Sequence, residues 1–377
     1  MSSLFNARFL RVYIVPGAVF QSVMIGGGYG TGREIVEYFT AFGFYGGLLG
    51  LATSGFVLAI VLGATFEFAR KFAAYDYRNF FKRLLGRGWF AFEVLIILQF
   101  LLVLAVLASA AGNILRDSFD LSYGVGLTIM LAAIGVMTYY GREFVARILT
   151  LWSFVLYAVI LAFFVVVVRN NGSAILAAAA ESRVIDGWSQ SGFKYALYNL
   201  AAAPLLLYVA RSFESRGEAL ASGAIAAAIA IVPAAMFHTA FFAMWPAILE
   251  QPIPVYWLMT QADTRVLIVI YSIMLFGTFI ETGAGMLQGI NERLDAYLME
   301  VRGYGLGPAT HAILAMLAIV ISAVLSTWGI TNLIASGYGT MAWGFLFVYV
   351  LPLLTIGVFR IANSGPAKES LTRVSGP

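Results

Sequence analysis

A helix crosses about 30 Å of hydrocarbon with roughly 20 apolar residues, and this chain strings such stretches almost end to end. Ten fall at 11–40, 44–69, 89–115, 122–140, 147–168, 188–210, 219–245, 265–290, 308–328 and 332–359. The reading is an all-α polytopic membrane protein. Composition excludes the soluble alternative. Of 377 residues 61% are hydrophobic and 11% charged, whereas a soluble chain carries about 25% charged residues to cover its surface. Cysteine is absent and the two histidines, His238 and His311, lie far apart. Disulfides and thiolate sites are thereby excluded, and a histidine-rich metal centre is not expected. Arg8 and Arg11 before an apolar run imitate a signal peptide. The run has no small-residue cleavage site and breaks into Gly26-Gly27-Gly28, so it reads as a retained span.

Lys and Arg set the orientation. With the N-terminus inside, seventeen of them fall in inside segments and four, Arg116, Arg169, Arg183 and Arg265, outside. Arg33 and Lys194 lie within spans. The bias places both termini in the cytoplasm. The net charge of +4 follows from this topology, so the partners expected are a lipid bilayer and a small-molecule substrate, with no nucleic acid. Nothing in the sequence sets an oligomeric state.

Five spans precede Arg169 and five follow Asp186. An odd number per half gives the halves opposite orientations, the layout of an inverted repeat. The chain therefore reads as one membrane domain, with repeat 1 at about 10–170, repeat 2 at about 187–360 and a short cytoplasmic tail at 361–377. Each half also carries a short extra segment between its second and third helices. One is the basic, aromatic stretch 71–84, suited to lying on the inner membrane surface. The other is the apolar stretch 253–259, too short to span.

Span 1 contains Ile25-Gly26-Gly27-Gly28-Tyr29-Gly30-Thr31-Gly32-Arg33-Glu34. Each helical glycine costs roughly 1 kcal/mol relative to alanine. Glycines also serve close helix packing, but packing needs them spaced, and these are clustered. A discontinuous helix fits better, since unwound backbone in a membrane is tolerated where it lines a cavity. Its first half would end near Gly26 with free carbonyls suited to a cation. Its second would begin near Thr31 with free N–H groups suited to a carboxylate. By symmetry span 6 should be interrupted too. It holds Tyr198-Asn199-Leu200-Ala201-Ala202-Ala203-Pro204, and Pro204 suits either a simple kink or the first turn of a new half-helix.

Span 8 carries Gly277, Thr278, Glu281, Thr282, Gly285, Gln288 and Glu292 at three- and four-residue steps, which makes one small, polar stripe. Glu281, an ionisable group inside a span, is a candidate proton acceptor or cation ligand; the plainer reading is a buried structural glutamate. Arg33 and Glu34 after the span 1 break, and Lys194 a turn before the span 6 break, are gate candidates. Snorkelling outward is the plainer role for Lys194. Glu67 and Glu93 read as interfacial, and His238 as a satisfied helix-contact residue. Gln99 in span 3 is a candidate for lining the site.

Five plus five spans with interrupted first and sixth helices resemble the LeuT-like fold of the amino acid–polyamine–organocation superfamily. The likeness covers about residues 10–360. The opening Gly28-Tyr29-Gly30-Thr31-Gly32-Arg33-Glu34 is similar to that of the YkvI-like bacterial membrane proteins, thought to be amino-acid-permease relatives, which implies a bacterial inner membrane. In sodium-coupled members a cation sits between span 1 carbonyls and a hydroxyl pattern on span 8, which Thr278-Phe279-Ile280-Glu281-Thr282 resembles. Glu281 stands where a hydroxyl residue is usual, so a titrating carboxylate competes with simple sodium coupling. Span 5 has no lysine between Ile148 and Val168, unlike some proton-coupled relatives.

The mechanism this implies is alternating access by a secondary transporter. An amino acid or related zwitterion would sit among Gly26, Gly27, Gly28, Tyr29, Gly30 and Thr31 on span 1, with Tyr198, Asn199 and Ala202 on span 6. Its carboxylate would meet the N–H groups of Tyr29, Gly30 and Thr31. Glu281, Thr278, Thr282 and the carbonyls near Ile25 and Gly28 would take H⁺ or Na⁺. No cofactor is expected beyond a bound Na⁺. The rivals are an ion channel, a membrane enzyme and a non-transporting receptor or scaffold. Gly-Tyr-Gly-Thr occurs twice, at 28–31 and 337–340, which resembles a potassium filter. Span 1 leaves no room for the pore helix a filter needs. The glycine cluster does not fit the dinucleotide pattern, and no zinc-hydrolase stretch occurs, so the protein does not read as an enzyme.

Overall fold

The computed structural model describes residues 7–140, 142–261 and 265–364. Among the described residues every regular element is helical. Eight helices are long and apolar enough to cross a membrane, and two shorter apolar helices, Leu10–Met24 and Tyr123–Thr138, fall at the first and fourth expected spans. Side chains exposed on the outside, such as Phe56, Ile313, Val324 and Phe347, are apolar, as a lipid-facing surface requires.

The pairing of helices follows the expected symmetry. Span 1 (Val15–Met24) packs on span 7 (Arg216–Phe241), as span 6 (Trp188–Asn199) packs on span 2 (Phe44–Phe72). Spans 2 and 7 then pack on each other. Small residues permit these approaches. A Cβ on Gly223 would lie 2.6 Å from Gly63 Cα, and one on Gly192 would lie 3.0 Å from Gly50 Cα. Spans 3 (Phe90–Phe119), 4 (Tyr123–Tyr140), 8 (Arg265–Arg302) and 9 (Pro308–Ser326) pack around this centre.

Span 1 is broken in two places. Its first helix ends at Met24, and Ile25 (ψ 70°) and Gly26 (ψ −159°) leave the helical region. A short helix, Gly27–Thr31, follows, then Gly32 at φ 82°, then Arg33–Tyr38. Gly32 is required here, because a side chain at that φ is strained and a Cβ would lie 2.5 Å from Phe241 Cζ. Span 6 is interrupted differently. The α-helix Trp188–Asn199 passes into 3₁₀ winding over Leu200–Ser212, with Pro204 inside. Pro204 cannot donate its share of the ladder, and the chain answers with tighter turns, not with a gap. Tenth-span residues 333–338, 346–350 and 353–357 are π-wound.

The two extra segments are helices. Tyr77–Leu85 is capped by Asp76, whose carboxylate accepts the Asn79 N–H at 2.9 Å. It does not merely lie on lipid: Phe80, Phe81 and Leu84 are buried, Phe81 stacks on Phe92 at 3.7 Å, and Arg78 donates to the Ala296 carbonyl at 2.7 Å. Pro254–Gln261 buries Val255, Leu258 and Met259. Two expectations need correction. The fifth span does not stop near Val168, since helix Arg142–Glu181 continues past a kink at Asn171. Glu67 and Glu93, expected at an interface, are buried in protein, because each has a cation to neutralise it, Arg70 at 2.8 Å and Arg293 at 3.1 Å. Residues 365–377, most of the expected tail, lie outside the described residues, as do the side chains of Arg142 and Arg147.

Candidate functional site

Two adjoining cavities lie where the span 1 break meets span 6. The inner one, about 70 Å³, is lined by Gly26 and Gly27 of the break, Tyr198, Asn199 and Ala202 of span 6, Gln99 of span 3, Thr282 of span 8, and also Glu34 and Tyr338. The outer one, about 580 Å³, is lined by Ser22, Ile25, Thr278, Glu281, Thr282, Gly285, Gln288 and Glu292, with Tyr77 and Arg293 at its rim. Val23, Phe100, Leu205, Thr282 and Met286 wall both. The polar stripe of span 8 is thus the wall of the wider cavity. Ser22, Leu205 and Gly285 are exposed, so this cavity opens out of the protein, on the side that carries helix Tyr77–Leu85.

The opposite side is shut. Tyr38, Phe39, Tyr195 and Tyr198 are buried, with ring centroids 4.7–5.7 Å apart. Tyr38 donates to the Ile334 carbonyl at 3.0 Å, and Ser191 donates to the Tyr38 carbonyl at 2.8 Å. Arg33 ties the second part of span 1 to the segment after span 7, donating to the carbonyls of Leu249 (2.7 Å) and Gln251 (3.1 Å) and pairing with Glu37 at 2.8 Å. His238 bonds Thr40 and the Phe44 carbonyl.

Several sequence candidates stand elsewhere than expected. The N–H groups freed by the break belong to the start of helix Gly27–Thr31, two residues earlier than the Tyr29–Thr31 seat. The Gly30 N–H is bonded to the Gly26 carbonyl at 2.8 Å. The Glu34 carboxyl group lies against Gly28, where an added Cβ would be 2.8 Å from Glu34 Cδ, so the protein's own acid stands beside the place reserved for a substrate carboxylate. Gly28, Tyr29, Gly30 and Thr31 line neither cavity. The Gly28 carbonyl is also unavailable to a cation, since Thr31 Oγ1 donates to it at 2.9 Å. Tyr271 donates to the Gly30 carbonyl and Gly32 N–H to that of Tyr29. With these carbonyls bonded inside the protein, the first Gly-Tyr-Gly-Thr is no ion filter. The second is part of a continuous helix.

Ile25, Thr278, Glu281 and Thr282 do share one cavity. Thr278 donates to its own helix at Met274 (2.9 Å), and Glu281 has no polar partner among the described residues. Of the gate candidates, Arg33 stands at the closed side and Glu34 in the inner cavity. Lys194 is apart from both, half-buried over the ring of Trp343 at 5.9 Å. Sequence reasoning missed Tyr338 as a wall of the site and Arg293 at the mouth. The repeated Gly-Tyr-Gly-Thr was the signal for Tyr338. For Arg293 no signal existed, because Glu93 is two hundred residues away in sequence.

No family model matches the chain. It is 24% identical over 371 residues to the "Uncharacterized membrane protein YkvI" of Bacillus subtilis (strain 168), covering 94% of this chain and 96% of that protein. Its fold is similar to that of the Eremococcus coleocola manganese transporter, at a TM-score of 0.60 and 13% identity, over 94% of this chain and 80% of that one. It is likewise similar to a Na⁺-coupled sialic acid symporter, at a TM-score of 0.61 and 13% identity, over 90% and 78%. The chain has the LeuT-like fold.

Proposed function

We propose that the protein is a secondary transporter that moves a small solute across a cell membrane by alternating access, coupled to H⁺ or Na⁺. The observation that carries this reading is the arrangement at the span 1 break: a small cavity that shares five wall residues with a wider one on one side and is shut by packed aromatic rings on the other. A receptor has no use for two-sided access, and a channel needs a continuous path. Fold neighbours that are a manganese transporter and a sialic acid symporter support carriage. An amino acid or related zwitterion is the substrate class the resemblance implies. The membrane is a bacterial inner membrane with both termini in the cytoplasm, so the wider cavity opens inward.

Glu281 is the coupling residue in this reading. It faces the wider cavity beside Ile25, Thr278 and Thr282 without a counter-charge of its own. An ionised group at such a depth costs roughly 2.5–3.5 kcal/mol, so an arriving H⁺ or Na⁺ is bound there and its release is linked to rearrangement. The test is uptake of labelled amino acids and amines into liposomes under imposed H⁺ or Na⁺ gradients. Glu281→Gln is expected to abolish gradient-driven accumulation while exchange persists. Undiminished accumulation in that variant would remove Glu281 from the mechanism, and uptake of no solute by the wild type would remove carriage.

A further inference from the structure

Glu34 is 4% exposed and lies on the wall of the inner cavity. Its Oε2 accepts the Tyr198 hydroxyl at 2.5 Å, and its carboxyl group lies against Gly28. No Lys, Arg or His pairs with it among the described residues. Arg33 turns to Glu37 and two carbonyls, and Lys194 lies on Trp343. Taking a bare carboxylate out of water costs several kcal/mol, so this group either carries a proton or meets an arriving positive charge.

The walls say which kind. The rings of Tyr198 and Tyr338 pack on each other at 4.9 Å and wall the inner cavity beside Glu34. Gln99 Oε1 is buried with no partner. Asn199 uses an amide N–H on the Tyr195 carbonyl at 2.9 Å, which leaves its oxygen as an acceptor. An ammonium group brings three donors and no acceptor, and it matches this set. A divalent metal ion needs more oxygen ligands, several of them carboxylates as a rule; the described residues hold no group of three His, Cys, Asp or Glu. A substrate carboxylate would be repelled by Glu34, the only charged residue among the described ones on the inner cavity's wall.

We infer that Glu34 receives the ammonium group of a small primary amine, and that the solute is recognised as a cation and not as a zwitterion. The inner cavity of about 70 Å³ holds roughly two waters at about 30 Å³ each, so only the head group fits. The amine's carbon chain runs into the wider cavity, past the apolar side chains of Val23, Phe100, Leu205 and Met286 that the two cavities share. The inference rests on the transport reading for why an amine enters, but its binding is measured separately.

The test is calorimetric titration of the purified full-length protein in lipid nanodiscs with butylamine, 2-aminobutyrate, butyrate and MnCl₂. The first three share a four-carbon chain and differ in charge. Butylamine is expected to bind at least about tenfold tighter than the others, and Glu34→Gln to weaken it by about tenfold or more. Should Glu34→Gln fail to fold, Gly28→Ala serves. Its methyl would lie 2.8 Å from Glu34 Cδ, displacing the carboxylate and weakening butylamine by about threefold or more. Tighter binding of 2-aminobutyrate, butyrate or Mn²⁺ overturns the inference. So does unchanged butylamine affinity in a folded variant, or no butylamine binding by the wild type. A preference for 2-aminobutyrate leaves carriage standing, whereas butylamine binding without any uptake sinks carriage alone.

Discussion

Three glutamates inside this protein meet three different fates, and their surroundings decide each. Glu93 is neutralised outright: Arg293 lies 3.1 Å away, both are nearly buried, and the guanidinium stacks 3.9 Å over Tyr77. Glu281 faces the wider cavity and Glu34 the inner one, neither with a cation. A buried pair that loses one member leaves the other charge uncompensated, at a cost of about 3–5 kcal/mol. Glu93→Gln is therefore expected to lower the thermal transition of the purified protein sharply. The double change Glu93→Gln with Arg293→Gln should restore most of that loss. Equal losses in the single and double variants would show that the pair contributes nothing as a pair. Arg293 also lines the wider cavity with Tyr77, so loss of the pair is expected to disturb closure of that side.

Helices in this protein are held by small residues at their crossings and by interruptions at mid-length. The Gly63–Gly223 contact joins spans 2 and 7 so closely that any added carbon meets backbone. Gly223→Ala is expected to destabilise by about 1–3 kcal/mol, the usual cost of overpacking. Gly124→Ala, where a Cβ meets nothing within 4 Å, serves as the control, and thermal unfolding in detergent compares the two. Equal transitions would refute the packing argument. The interruptions of spans 1 and 6 arise from different residues and so have different shapes. Glycine allows the extended residue at 26 and the left-handed one at 32. Pro204 only removes a donor, and span 6 stays wound as a 3₁₀ helix.

The molecule as a whole is open on one side and shut on the other. Its lack of cysteine makes that directly measurable, since an introduced thiol is the only one present. Gly285 is exposed in the wider cavity and a Cβ there meets nothing within 4 Å. Gly285→Cys is expected to react with a membrane-impermeant thiol reagent applied from the side of the N-terminus. Reaction should slow when a transported solute and its gradient favour the opposite state. Labelling at equal rates from both sides would mean a continuous pore and would defeat alternating access.

Much of the fold was legible without coordinates, because lipid imposes a rule that can be read locally. Every apolar run of sufficient length must be a helix that satisfies its own backbone. Runs, glycine clusters and proline are all visible in one dimension, so the spans, the break in span 1 and the polar stripe of span 8 could be placed from residue types and spacing. What the line of residues does not contain is which side chain fills which vacancy. Free N–H groups after the glycines looked like a seat for a substrate carboxylate, and only packing shows the Glu34 carboxyl turned back against Gly28. The same holds for Tyr338 beside Tyr198 and for Arg293 beside Glu93. Each joins residues more than a hundred positions apart, and their meeting is set by helix crossings, not by any local pattern.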